Sequence, residues 1–186
     1  WLGEWIEACG EARPSGRALD FGCGVGRVTQ AMAPHFTHVT GVDLSKAMLE
    51  AARARNRYAD RVDYVSNTRL DLSQFADTTF DFANSVLVLQ HMRPEYACGY
   101  LRELLRVLRP GGLMFVQTAV APRDPAAVQR EPVPEHPDEM RIEMHALPAV
   151  LVRATIAGSC GRVVAEGVND LAGPAWHSMH FLVRRV

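Results

Sequence analysis

The chain has 186 residues, 48% hydrophobic and 22% charged, with 20 basic side chains against 21 acidic for a net charge of −1. That length fits one domain, and the composition excludes a disordered or collagen-like chain. A chain of this size buries about 70% of its unfolded surface and needs no disulfide or metal to fold, and a neutral balance excludes a general nucleic-acid binder, which would carry a basic excess.

Cys9, Cys23, Cys98 and Cys160 form no C-x-x-C pair and match no zinc spacing. They read as free, buried or half-buried thiols, which implies a reducing compartment and a cytoplasmic location. The longest apolar runs, Val86–Leu89 and Leu113–Val116, have strand length and fall far short of the roughly 18 residues of a bilayer span. No charged-then-apolar leader is visible, so no membrane partner is expected. The first residue is Trp1, so residues upstream are expected. Of the basic residues 19 are Arg and only Lys46 is Lys, which reads as codon usage of a GC-rich genome.

In chain order, Trp1, Leu2, Trp5, Ile6 and Cys9 share one helical stripe, a possible partner surface if exposed. Pro14-Ser15-Gly16 stops that helix. Arg17–Phe21 is a short strand running into Gly22-Cys23-Gly24-Val25-Gly26, and Arg27–Ala33 is the helix after it. His38–Val42 is a second strand, ending at Asp43. Leu44–Tyr58 is helical, with Ser45 as N-cap and Ala47, Met48, Ala51 and Ala54 facing inward. Val62–Val65 is the third strand, with room for a helix before Phe80–Leu89, a buried parallel strand.

Pro94 opens a helix at a position where its missing N–H costs nothing. The helix reaches Leu108 on a stripe of Leu101, Leu104, Leu105 and Leu108. Arg109-Pro110-Gly111-Gly112 ends it before the strand Leu113–Thr118. Ala121–Pro137 carries five prolines and few apolar anchors, and reads as a long loop or lid over about residues 120–140. Leu147–Ala157 is a helix; Arg162–Gly167 and Ser178–Arg184 are the last strands. Alternating strands and helices give a parallel sheet with helices on both faces and right-handed crossovers. The final pair lacks a helix between its strands, so one strand runs antiparallel. The fold class is α/β: a Rossmann-like, doubly wound, seven-stranded sheet, mostly parallel with one antiparallel terminal strand. Ligands bind such sheets at the carboxyl ends of the strands.

Three glycines directly after a strand let a backbone approach a ligand closely. The spacing is G-x-G-x-G. The dinucleotide fingerprint G-x-G-x-x-G would need glycine where Arg27 stands, which argues against a NAD-dependent oxidoreductase. Asp43, 19 residues after Gly24, sits where a carboxylate accepts hydrogen bonds from both hydroxyls of a ribose. Asp20 would repel a pyrophosphate and favour a cationic ligand end.

Ala18–Gly26 and Val39–Ser45 resemble the first two motifs of the class I S-adenosylmethionine-dependent methyltransferases. Phe80-Asp81 through His91-Met92, then Leu108–Gly112, resemble the later ones. The likeness covers about residues 17–119, and the tail from His145 to Val186 is similar in pattern to the small-molecule members. The resemblance implies that Gly22, Gly24 and Gly26 line the amino-acid and ribose part of S-adenosylmethionine. By the same resemblance Asp20 faces the methionine ammonium through water, Asp43 holds the ribose and Leu44 packs on the adenine. The family's acid after the third strand is missing at Thr68, leaving Asn67 and Asp71 as substitutes. Ser85 would lie beside the transferred methyl.

Methyl transfer from a sulfonium is an in-line displacement, and a base is needed only if the acceptor must lose a proton. His91 follows strand four, and an ordinary imidazole, titrating near ~6.5, accepts a proton at neutral pH. His145 is placed to roof the acceptor. Arg93, Arg123 and Arg141 are candidate clamps for an acidic acceptor. His35 and His38 lie at the wrong end of the sheet, while Trp176, His177 and His180 read as structural. No N/D-P-P-Y run, G-x-S-x-G elbow, Walker lysine or metal-ligand spacing is present. The expected activity is methylation of oxygen or nitrogen in a small-molecule acceptor. A non-catalytic cofactor- or partner-binding module is the alternative.

Overall fold

A computed structural model describes residues 2–124, 126 and 143–186. Seven strands alternate with helices: α1 Leu2–Ala8, β1 Arg17–Phe21, α2 Arg27–Met32, β2 His38–Asp43, α3 Lys46–Ala54, β3 Val62–Ser66, β4 Phe80–Ser85, α4 Pro94–Val107, β5 Leu108–Pro122, α5 Ala149–Ala157, β6 Gly161–Asn169 and β7 Trp176–Arg185. The sheet order is β3-β2-β1-β4-β5-β7-β6. β1 through β5 pair in parallel, and β7 runs antiparallel between β5 and β6. This is the doubly wound, mostly parallel sheet that the sequence pattern predicts. The order reverses at β1, where β2 and β4 flank it.

The near-continuous burial of β1, β2 and β4 follows from cover on both faces. On one face Leu101, Leu104 and Leu105 of α4, with Val152 and Ile156 of α5, pack on Leu19, Phe21 and Val116. On the other, Ile6, Met32, Leu49 and Ala52 pack on Ala18, Val39, Phe82 and Phe115. The described part of the α1 stripe therefore belongs to the core. Ile6 is buried, and Trp5 stands edge-on to Phe115 and His180, so the partner surface expected there is not available. Trp1 lies outside the described residues.

The elements differ from the sequence expectation in several places. In α3, Ser45 is the N-cap and its Oγ accepts from the Met48 N–H, but Leu49 and Ala52 face the sheet while Ala47, Met48 and Ala54 are exposed. β4 ends at Ser85 rather than Leu89, because Leu87 takes a φ of 63° and turns the chain into a 3₁₀ turn at Leu89–His91. No helix follows β3; residues 67–79 form a loop fastened by Arg106 of α4, which donates to the carbonyls of Leu72 and Phe75 and pairs with Glu103 and Asp77. β5 extends to Pro122, because β7 pairs with it as far as Trp176. Of the cysteines, Cys23 and Cys98 are buried and Cys9 half-buried as expected, but Cys160 is exposed.

His180 has a measurable consequence for stability. It packs between Trp5 and Phe115, and its Nδ1 faces the amide nitrogen of Asn169 at 3.2 Å. The Asn169 side-chain oxygen already accepts from Ser178 and Leu171, so that nitrogen donates and Nδ1 must accept. Burial pushes the His180 pKa down. Below about pH 6.5 the unfolded chain then binds more protons at this position than the folded one. Stability falls as pH drops through that interval. Thermal melts between pH 5 and 8 should show a shallower acid-side loss in His180→Phe than in wild type; parallel curves would remove His180 as the cause.

Candidate active site

The carboxyl ends of β1, β2 and β3 and the turn after β4 surround a cleft of about 500 Å³. Gly22, Asp43, Leu44, Asn67, Val88, His91 and His145 are among its lining residues. Asp43 organises one wall. Its Oδ2 accepts the Gly24 N–H and its Oδ1 accepts the Ser45 N–H, both at 2.8 Å. The carboxylate thus fixes the glycine turn against the start of α3. Each of its oxygens keeps a lone pair for a further donor.

The glycines serve different needs. Gly22 has a φ of 77°, and a Cβ there would collide with Val88. Gly24 has a φ of 52° and open space where a Cβ would stand. The backbone beside Asp43 is therefore open, and only the left-handed φ calls for glycine there. Gly26 is the N-cap of α2. Neither Gly24 nor Gly26 contributes to the cleft lining itself. Leu44 is 69% exposed in the cleft, as is Leu70. Two large apolar side chains left open to water suit the faces of a flat ring.

Asp20 lies beneath the turn rather than in the cleft. Its carboxylate is 2% exposed and accepts from Thr29 Oγ1 at 2.6 Å and Asn84 Nδ2 at 2.8 Å. Thr29 and Asn84 each take one oxygen of the carboxylate, and Asp20 is not among the cleft-lining residues, so the expected contact with an ammonium through water is not made by a cleft-wall side chain. Burial pushes its pKa up. The folded chain therefore holds this proton to higher pH than the unfolded one, and stability falls as pH rises from about 4. Asp20→Asn removes the buried charge and its oxygen still accepts from Asn84, while its NH₂ meets the Thr29 backbone N–H, which also donates to the carboxylate. Its melting temperature relative to wild type should rise toward neutral pH. A drop at neutral pH would show that the charge itself holds the turn.

The loop after β3 separates the two substitutes for the missing acid. Asn67 is buried at the cleft; its Nδ2 donates to the Asp71 carbonyl and its Oδ1 accepts from Arg69 N–H. Asp71 does not line the cleft, because its carboxylate accepts from the N–H and hydroxyl of Ser73. Tyr100 of α4 was missed from sequence. Its hydroxyl donates to the Arg69 carbonyl at 2.6 Å while its ring lies 4.5 Å from Phe21. A tyrosine beside the leucine stripe was the available signal, an apolar body with a polar tip that needs a partner. Val88, Met92 and Tyr96 are also in the wall.

His91 and His145 meet at the opposite wall. The His91 Nδ1 lies 3.1 Å from the Glu143 carbonyl oxygen. A carbonyl only accepts, so Nδ1 carries the proton and Nε2 holds the lone pair. The His145 backbone N–H donates to the Gln90 carbonyl at 2.7 Å, and its Nε2 is 3.3 Å from Glu143 Oε2. Segment 143–146 is thereby anchored to the turn that carries His91. His91 stands on the 3₁₀ turn, six residues beyond the strand whose end it was expected to occupy.

Two expected residues lie elsewhere. Ser85 is wholly buried behind the cleft, with no hydrogen-bond partner for its Oγ among the described residues. Thr118 is likewise buried. Arg123 is corrected as a substrate contact: its guanidinium pairs with Asp170 at 2.8 Å and donates to the Trp176 carbonyl, away from the cleft. Arg93 does line the cleft. Arg141 and most of the proposed lid, residues 125 and 127–142, lie outside the described residues.

The family described as "Methyltransferase domain" matches residues 19–116. The chain belongs to this family of S-adenosylmethionine-dependent class I methyltransferases. It is 34% identical over 167 residues to "24-methylenesterol C-methyltransferase 2" of Oryza sativa subsp. japonica, covering 87% of this chain and 44% of that protein. It is 35% identical over 105 residues to "Ubiquinone biosynthesis O-methyltransferase" of Marinobacter nauticus, covering 55% of this chain and 43% of that one. The chain thus spans less than half the length of either relative. Magnesium protoporphyrin IX methyltransferase from Synechocystis PCC 6803, solved with bound S-adenosylhomocysteine, shares the methyltransferase fold at a TM-score of 0.75. Identity to it is 18%, covering 100% of this chain and 80% of that one. No helix among the described residues is long and apolar enough to cross a membrane.

Proposed function

We propose that the chain binds S-adenosylmethionine in this cleft and transfers its methyl group to an oxygen or nitrogen of a small-molecule acceptor, giving S-adenosylhomocysteine. The observation that carries the reading is Asp43: a carboxylate in the cleft wall that holds the Gly24 N–H at 2.8 Å and keeps acceptor capacity for a further donor. Bound there, S-adenosylmethionine supplies an electrophilic methyl on a sulfonium. Asp43 accepts from the ribose hydroxyls, Leu44 covers the adenine from one side, and the Asn67 loop borders it. Gly22 and Gly24 let the backbone lie against the amino-acid half. His91 takes the acceptor proton on Nε2, with Nδ1–H held by the Glu143 carbonyl. His145 and Glu143 border the acceptor.

A base suits an acceptor O–H or N–H, and the similarity to an O-methyltransferase supports oxygen. The similarity to a sterol C-methyltransferase supports carbon as the second reading. We read residues 1–186 as one domain, in a reducing cytoplasm that suits the free thiols.

The test is incubation with methyl-labelled S-adenosylmethionine and fractionated cell extract. Label in a small-molecule fraction, at oxygen or nitrogen, is the expected result. Label on carbon selects the second reading, and label only on protein or RNA overturns both.

A further inference from the structure

Leu87 is unusual among the residues around the cleft. Its φ of 63° is a left-handed conformation that a branched L side chain rarely adopts. Its side chain is 41% exposed, so burial of the leucine itself does not hold it there. Its N–H donates to the side-chain oxygen of Gln117 at 2.9 Å. Gln117 is fully buried in β5, a strand whose neighbours Met114, Phe115 and Val116 are core residues. Its Nε2 reaches the Gln90 side-chain oxygen at 3.5 Å, and Gln90 is 3% exposed. One buried amide therefore meets both ends of the turn that runs from Leu87 to Gln90.

What that turn carries gives the amide its importance. Val88 follows Leu87 directly and fills the space in front of Gly22. The Gln90 carbonyl accepts the His145 N–H, and His91 comes next in the chain. Strained backbone persists only where surrounding structure over-determines it, and it gathers at functional sites. We propose that Gln117 is a positioning residue: by clamping Leu87 in the left-handed region it seats Val88 against the glycine turn and His91 at the cleft. Gln117 itself does not line the cleft. The link to methyl transfer rests on the function proposed above.

The test pairs Gln117→Leu with the double variant Gln117→Leu/Leu87→Gly. Glycine enters the left-handed region without strain, so it removes the need for a clamp. Two readouts are taken: amide hydrogen exchange across residues 86–92 without ligand, and affinity for S-adenosylhomocysteine by calorimetry. Gln117→Leu should raise exchange and weaken affinity about tenfold, the scale of one lost hydrogen bond. The double variant should regain most of that affinity. A merely structural Gln117 gives the opposite pattern, because added glycine flexibility costs further stability and affinity. Unchanged exchange in Gln117→Leu, or a double variant weaker than the single one, overturns the proposal. The exchange readout needs no ligand. If wild type bound no S-adenosylhomocysteine, exchange would still decide the clamp and the failure would fall on the proposed function alone.

Discussion

Replacing Asp43 with alanine should weaken S-adenosylhomocysteine binding by about 1.5–3 kcal/mol, the range of hydrogen bonds to a charged group. The expectation rests on two separate losses. The ribose hydroxyls lose their acceptor. The N–H groups of Gly24 and Ser45, both held at 2.8 Å, lose theirs as well, so the glycine turn is no longer tied to α3. Asp43→Asn separates the two. Its oxygen can keep one backbone N–H, while its NH₂ presents donors where an acceptor stood, so affinity should fall between wild type and alanine. Calorimetry on the three proteins checks the order. Equal affinity in all three would remove Asp43 from the site.

His91→Ala should lower kcat by about 10²–10⁴-fold, the usual contribution of a positioned general base. Affinity for S-adenosylhomocysteine should change little, because no proton is transferred on binding it. The tautomer makes this expectation specific. With Nδ1 donating to the Glu143 carbonyl, only Nε2 can accept a proton from the acceptor. His91→Gln restores a polar side chain but no base, so it should be nearly as slow as alanine. Retained turnover at every pH would mean that the acceptor reacts without a base from His91, which favours an acceptor atom already carrying a free lone pair.

The sheet was legible because its elements are strongly patterned. Short apolar strands, glycine and proline stops and the Leu101–Leu108 stripe all agree with one topology. The cleft wall from β2 was legible in two steps: the strand pattern locates the end before Asp43, and the family resemblance adds Leu44. What could not be read were turns set by tertiary contacts. The unbroken apolar run Val86-Leu87-Val88-Leu89 reads as strand, yet a Gln117 amide 30 residues away reverses the chain at Leu87. The burial of Asp20 is not in its local sequence either: Thr29 and Asn84, which hold its carboxylate, come from α2 and β4. Arg123 looked free because Asp170, its partner, is 47 residues away. The Glu143 carbonyl that fixes the His91 tautomer is equally remote, 52 residues on.

Asp43, tied to the Gly24 turn, is proposed to hold an adenosyl-methionine ligand. Calorimetric titration of the chain with S-adenosylhomocysteine, with NAD in parallel and Asp43→Ala as control, tests it most directly. The account predicts saturable one-to-one binding of S-adenosylhomocysteine, loss of most of that affinity in Asp43→Ala, and no binding of NAD. Binding that survives Asp43→Ala undiminished, or NAD binding in its place, would contradict it.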